Sequence, residues 1–136
     1  MTETDPSRSL HHVGIATTDR AATAALFGDL LACEVVHTER FDGLDIAFLA
    51  VGGCYIEVLE PIADGPVDRF LDREGPGIHH LAFATPDIER ALDRASDRGI
   101  EAIDAEPRPG AWGHSVAFLH PGDTGGVLIE FVEESV

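Results

Sequence analysis

Residues 10–16 and again residues 78–84 form short, largely apolar runs, each interrupted by a His-His pair. Each run is followed by an Asp and then by apolar residues at helical spacing. A short apolar run reads as a strand, and recurrence at three and four residues marks a helix. After Asp19 the positions Ala22, Leu26, Phe27 and Leu30 trace a helix; after Asp87, Ile88, Ala91, Leu92 and Ala95 trace a second. Both Asp residues suit the N-cap, where a carboxylate accepts from first-turn N–H groups, and Gly99 supplies a C-terminal stop. Further strands are expected near residues 34–38, 44–51 and 54–59, with Gly52-Gly53 as a turn. Three more are expected near residues 100–104, 114–119 and 127–132, with Pro121 to Gly126 as the corresponding turn. Residues 66–75 read as a short helix entered through Pro66 and left through Gly75.

The two runs are copies. Leu10-His11-His12-Val13-Gly14-Ile15-Ala16-Thr17-Thr18-Asp19 aligns with Ile78-His79-His80-Leu81-Ala82-Phe83-Ala84-Thr85-Pro86-Asp87. The offset from His12 to His80 is 80 − 12 = 68 residues, half of a 136-residue chain. Ala47-Phe48-Leu49 likewise recurs as Ala117-Phe118-Leu119. The pattern is two strand–helix–three-strand modules, at about residues 9–61 and 77–133, joined by the short helix within one domain of residues 1–136. Each module alone exposes one face of its sheet, so the two are expected to pack together around a cleft.

A chain of this length, 44% hydrophobic, can form a real core. Its formal charge is −16, and all nine basic residues are Arg. Such a surface repels phosphate backbones and anionic lipid, which argues against nucleic-acid or membrane partners. No apolar run approaches the roughly 18 residues that span a bilayer, and the polar N-terminal MTETDPSRSL has no export-signal pattern. The expectation is a soluble, cytoplasmic protein. Because molar salt screens charges beyond about 3 Å, the acidity also suggests a halophilic setting. Cys33 and Cys54 sit among apolar residues at no metal or redox spacing and read as small hydrophobes.

The candidate chemistry lies on matching strands. His12 shares a strand face with Leu10 and Gly14, and His80 shares one with Ile78 and Ala82, so each imidazole has small neighbours. Glu57 stands within Tyr55-Ile56-Glu57-Val58-Leu59, and Glu130 within Val127-Leu128-Ile129-Glu130-Phe131-Val132. An ionised carboxylate inside an apolar run is costly unless paired or bound to a cation. Two imidazoles and two carboxylates suit a divalent transition metal such as Co²⁺, Mn²⁺, Ni²⁺ or Zn²⁺. His11 and His79 alternate away and are expected to pack or donate to backbone, and His37, His114 and His120 to lie on the surface or in loops.

With these residues the sequence resembles the vicinal oxygen chelate superfamily and, within it, the methylmalonyl-CoA epimerase family. The resemblance runs over about residues 9–133. It rests on LHHVGIA, IEVLEP and GIHHLAF, and on Glu106-Pro107-Arg108-Pro109-Gly110, Phe118-Leu119-His120-Pro121 and Gly125-Gly126-Val127-Leu128-Ile129-Glu130. It implies an α+β fold in which two tandem βαβββ modules form a curved mixed sheet around a metal-binding cleft. It implies interconversion of (R)- and (S)-methylmalonyl-CoA by α-proton abstraction, with His12, Glu57, His80 and Glu130 as ligands of a divalent cation, Co²⁺ first among those named. Glu130 is then the first-choice base, and Glu57 the candidate on the opposite face of the substrate. Arg108 becomes a candidate contact to coenzyme A phosphate, with Arg40 a lesser one, and a homodimer is the family expectation. Some members carry a second carboxylate where this chain has Ile46, with Asp45 beside it. The competing readings are a lactoylglutathione lyase, an iron dioxygenase and a metal-free resistance module of the same fold.

Overall fold

The computed structural model describes residues 9 to 135, so most of the polar N-terminal stretch read as lacking an export signal lies outside the described residues. It divides into two compact units, His12–His79 on one hand and, on the other, the residues up to His11 together with those from His80 onward. The first strand, β1 (Ser9–Ala16), is therefore shared between them.

In the unit His12–His79, β1 is followed by α1 (Arg20–Leu31), β2 (Val35–Phe41), β3 (Leu44–Val51), β4 (Cys54–Pro61) and α2 (Pro66–Glu74). β1 runs parallel to β4, β4 antiparallel to β3, and β3 antiparallel to β2. Asp19 caps α1, its carboxylate accepting the Ala22 N–H at 3.0 Å. A second carboxylate, Glu60 at the end of β4, accepts the Arg20 N–H at 2.7 Å. Charge at a helix N-terminus is favourable because the first N–H groups have no partner inside the helix.

The face that α1 buries is not the leucine stripe expected from the sequence. Leu26 and Leu30 are 61% and 71% exposed, while Ala24, Phe27 and Gly28 face β3 and β4. The cause is close approach. A Cβ at Gly28 would stand 3.2 Å from the Cys33 carbonyl oxygen and 3.8 Å from Leu49, so only a small residue lets the helix settle there. Ala24, Ala47, Leu49 and Val58 form the core of this unit, with Phe27, Cys33 and Ile56 packed against it. Cys33 is thus the small apolar filler expected.

In the other unit, β5 (Gly77–Ala84) leads into α3 (Ile88–Asp97), β6 (Arg108–Pro109), β7 (Ser115–Leu119) and β8 (Ile129–Glu133). β5 runs parallel to β8, β8 antiparallel to β7, and β7 antiparallel to β6. The helix entry repeats the first one. Asp87 accepts the Arg90 N–H at 3.2 Å and Glu133 accepts the Ile88 N–H at 2.9 Å. Ile88, Ala91 and Ala95 are buried on α3 as the periodicity predicts.

The strand expected at residues 100–104 does not form; a single bridge pairs Ala102 with Leu119, and β6 lies further on. The Asp104 side chain explains this. Its Oδ2 accepts the Phe118 N–H at 2.8 Å, taking the place that a neighbouring strand carbonyl would fill and ending the ladder. The remaining strands and the helix Pro66–Glu74 fall within a few residues of their expected limits. Among the described residues, no helix is long and apolar enough to cross a membrane.

Candidate metal centre

Each unit holds one buried His–Glu pair, and the two pairs are built alike. In the first, Gly14 stands opposite Glu57 in the β1–β4 register, so His12, two residues earlier on β1, shares the Glu57 face. His12 Nε2 and Glu57 Oε1 lie 3.1 Å apart, with the two residues 4% and 5% exposed. In the second, Ala82 stands opposite Glu130 in the β5–β8 register, and His80 Nε2 lies 3.1 Å from Glu130 Oε1. These residues are 5% and 6% exposed. Small neighbours, Gly14 and Ala82, leave each imidazole room beside its carboxylate.

The likeness extends to the aromatic support. Phe48 is the cross-strand partner of Glu57 and Phe118 that of Glu130. The His12 ring meets Phe48 edge-on at 5.6 Å and 89°, and the His80 ring meets Phe118 at 5.6 Å and 80°. An edge-to-face contact fixes ring orientation and adds about 1 kcal/mol beyond area burial. The repeated Ala-Phe-Leu triplet is the sequence signal of this support, although on its own it does not tie either phenylalanine to a histidine.

The donor set fits a divalent cation. Bonds of about 2.1 Å set at right angles place two ligand atoms about 3 Å apart, close to the separation within each pair. A buried carboxylate is costly unless its charge is compensated, and an ion beside the imidazole would add positive charge at these atoms. Near-complete burial keeps bulk water from competing at these atoms.

The other residues singled out in the sequence take varied places. Arg108 on β6 donates through Nε to Asp104 Oδ1 at 2.9 Å, and its guanidinium lies 5.7 Å from the centre of the Phe118 ring. It therefore borders the ring that supports His80. Asp45 pairs with Arg20 at 3.5 Å, and Ile46, where a second carboxylate was expected in some relatives, is 1% exposed in the core. His79 packs edge-on against Phe70 of α2 at 5.0 Å, as expected of a histidine facing away from the site. His37 is half-buried, 2.9 Å from Glu39, and His120 is exposed in a turn. His11 is buried as well, packed against the His114 ring rather than beside Glu57, as expected of a histidine that alternates away from His12.

The model of the glyoxalase/bleomycin resistance protein/dioxygenase superfamily matches residues 11–118. The chain belongs to that superfamily. Among its relatives, the ethylmalonyl-CoA/methylmalonyl-CoA epimerase of Cereibacter sphaeroides is 37% identical over 126 residues, covering 89% of this chain and 94% of that protein. The mitochondrial methylmalonyl-CoA epimerase of Homo sapiens is 33% identical over 125 residues, covering 89% and 71%. The solved structure of the Streptomyces coelicolor methylmalonyl-CoA epimerase in complex with 2-nitronate-propionyl-CoA superposes with a TM-score of 0.89 at 35% identity, covering 93% of this chain and 97% of that one. The family resemblance read from the sequence and the α+β fold it implied are both borne out.

Proposed function

We propose that this chain is a metal-dependent epimerase that interconverts the (R) and (S) forms of methylmalonyl-CoA. The observation that carries the reading is the pair of buried His–Glu couples at equal spacing, in a chain whose named relatives include epimerases of this substrate. His12, Glu57, His80 and Glu130 would serve as four ligands of one divalent cation. The ion they would hold could also accept oxygen donors from a substrate. When bound, the ion acts as a Lewis acid toward the thioester carbonyl and stabilises charge developing on its oxygen.

The chain's own groups supply the rest. Glu130 takes the α-proton as base, and Glu57, at the equivalent place in the other module, serves the opposite face of the substrate. Epimerisation needs such a division, since one proton leaves from one side and another arrives on the other. Burial of both carboxylates holds them away from bulk water, so little solvent reorganisation accompanies the transfer. Arg108, held by Asp104 beside Phe118, offers a charge-assisted contact to coenzyme phosphate in an otherwise acidic protein.

Proton exchange at the α-carbon tests the assignment. With methylmalonyl-CoA, D₂O, added Co²⁺ and high salt, deuterium enters the α-position at a rate that chelation abolishes. Absence of exchange in metal-loaded protein, with turnover of the methylglyoxal–glutathione hemithioacetal instead, would overturn the substrate assignment in favour of a lactoylglutathione lyase.

A further inference from the structure

The unit that contains His80 and Glu130 holds a second group of potential ligands, separate from that pair. His11 from the start of β1, His114 just before β7 and Glu134 just after β8 bring one donor atom each to within 4.8 Å of one another. The strand register makes this arrangement a property of the fold. Ser115 on β7 pairs with Glu133 on β8, so His114 and Glu134 are brought side by side one step beyond that antiparallel pair. His11 meets the His114 ring edge-on at 5.4 Å, and its Nε2 lies 3.8 Å from Glu134 Oε1.

We propose that His11, His114 and Glu134 form an accessory site for a borderline transition-metal ion such as Zn²⁺ or Co²⁺. Two imidazoles and one carboxylate are a donor set such ions accept with a further position left for water. The 3.8 Å separation exceeds a hydrogen bond, yet two ligand atoms on one ion, each bonded at about 2.1 Å, span up to about 4.2 Å. The environment is graded. The His11 side chain is 3% exposed, whereas that of Glu134 is 60% exposed, so the ion would be anchored from inside and reached from solvent.

One feature sets the strength. The Ser135 N–H donates to His114 Nδ1 at 3.2 Å, which orients the ring and engages that lone pair. Coordination through Nδ1 gives up this hydrogen bond, and coordination through Nε2 turns an N–H toward the Ser135 N–H. Either route weakens binding, so this site fills after the buried His–Glu pairs.

The experiment is a comparison of metal content between the full-length chain and its Glu134→Gln variant. Both are stripped with chelator and equilibrated with excess Co²⁺ or Zn²⁺ at high salt. The original chain is expected to retain one more equivalent than the variant, and His114→Ala is expected to show the same loss. The α-proton exchange measured with a single equivalent of metal stays unchanged in both variants. Because the difference is what counts, it survives even if the His12–Glu57 and His80–Glu130 pairs hold no ion. Equal metal content in the original chain and both variants would overturn the accessory site and leave His11 and Glu134 as an ion pair only.

Discussion

The two modules share a site chemistry and differ in how their helices are seated. At the sites the match reaches the same His–Glu distance and the same ring-to-ring distance. Behind the sheets it fails. α1 rests on Ala24 and Gly28 and turns Leu26 and Leu30 to solvent, whereas α3 buries Ile88, Ala91 and Ala95 as an amphipathic helix should. The second unit also has a hollow of about 750 Å³, lined by Leu10, Phe83, Leu119 and Phe131 from the strands and by Ala91 and Arg94 from α3. Leu119 and Phe131 alternate with Phe118 and Glu130, so this hollow lies on the opposite face of the sheet from His80. The lesson is that the His–Glu face has one geometry in both copies, while the helix-bearing face differs between them.

The sharpest way to break that symmetry is to remove one carboxylate at a time. Glu130→Gln is expected to lower α-proton exchange by about 10³-fold or more with the fold intact by circular dichroism, in line with the loss of a general base. If the modules divide the two faces of the substrate, Glu57→Gln causes a comparable loss; wild-type exchange in either variant would end the assignment of that residue. A related measurement asks whether the two pairs act on one ion. With Glu134→Gln as background, metal content is expected to be a single equivalent, lost on substituting His12 or His80. Two equivalents, each lost separately, would mean two independent sites.

Much of this site was legible because duplication doubles the signal. One histidine in a strand says little, but His12 and His80 in copied strands, with Glu57 and Glu130 in copied strands downstream, define a pattern. The supporting residues were not legible. Phe48 and Phe118 belong to the core by composition, and Glu60 and Glu133 look like surface carboxylates until the fold brings them to helix N-termini. Leu26 and Leu30 misled because hydrophobic spacing cannot reveal that a neighbouring stripe of small residues packs more closely. The strand at residues 100–104 failed for a different reason: a side chain, Asp104, took the hydrogen bond that a strand would have made.

Smaller effects sharpen the contrast in packing. Gly110→Ala would drive a Cβ to 2.6 and 2.8 Å from the two Val116 methyl groups, and is expected to cost about 2 kcal/mol in urea unfolding. Asp19→Ala and Asp87→Ala should each cost about 1 kcal/mol, and equally, since the caps are equivalent. Leu30→Gln on α1 should change stability by less than about 0.5 kcal/mol; a larger loss would show that its exposed face is covered in solution.

β4 and β8 each carry two duties on opposite faces. Glu57 and Glu130 project to the site side, and three residues on, Glu60 and Glu133 reach the helix N-termini on the other. Inserting or deleting one residue between the members of such a couple would reverse the face of every side chain beyond it. The buried carboxylate and the helix clamp could then no longer both be in place. A one-residue insertion is therefore expected to disrupt these short stretches and to be tolerated in turns such as Gly52-Gly53 and residues 121–126. In effect each of these two strands is a ruler whose graduations cannot be moved one at a time.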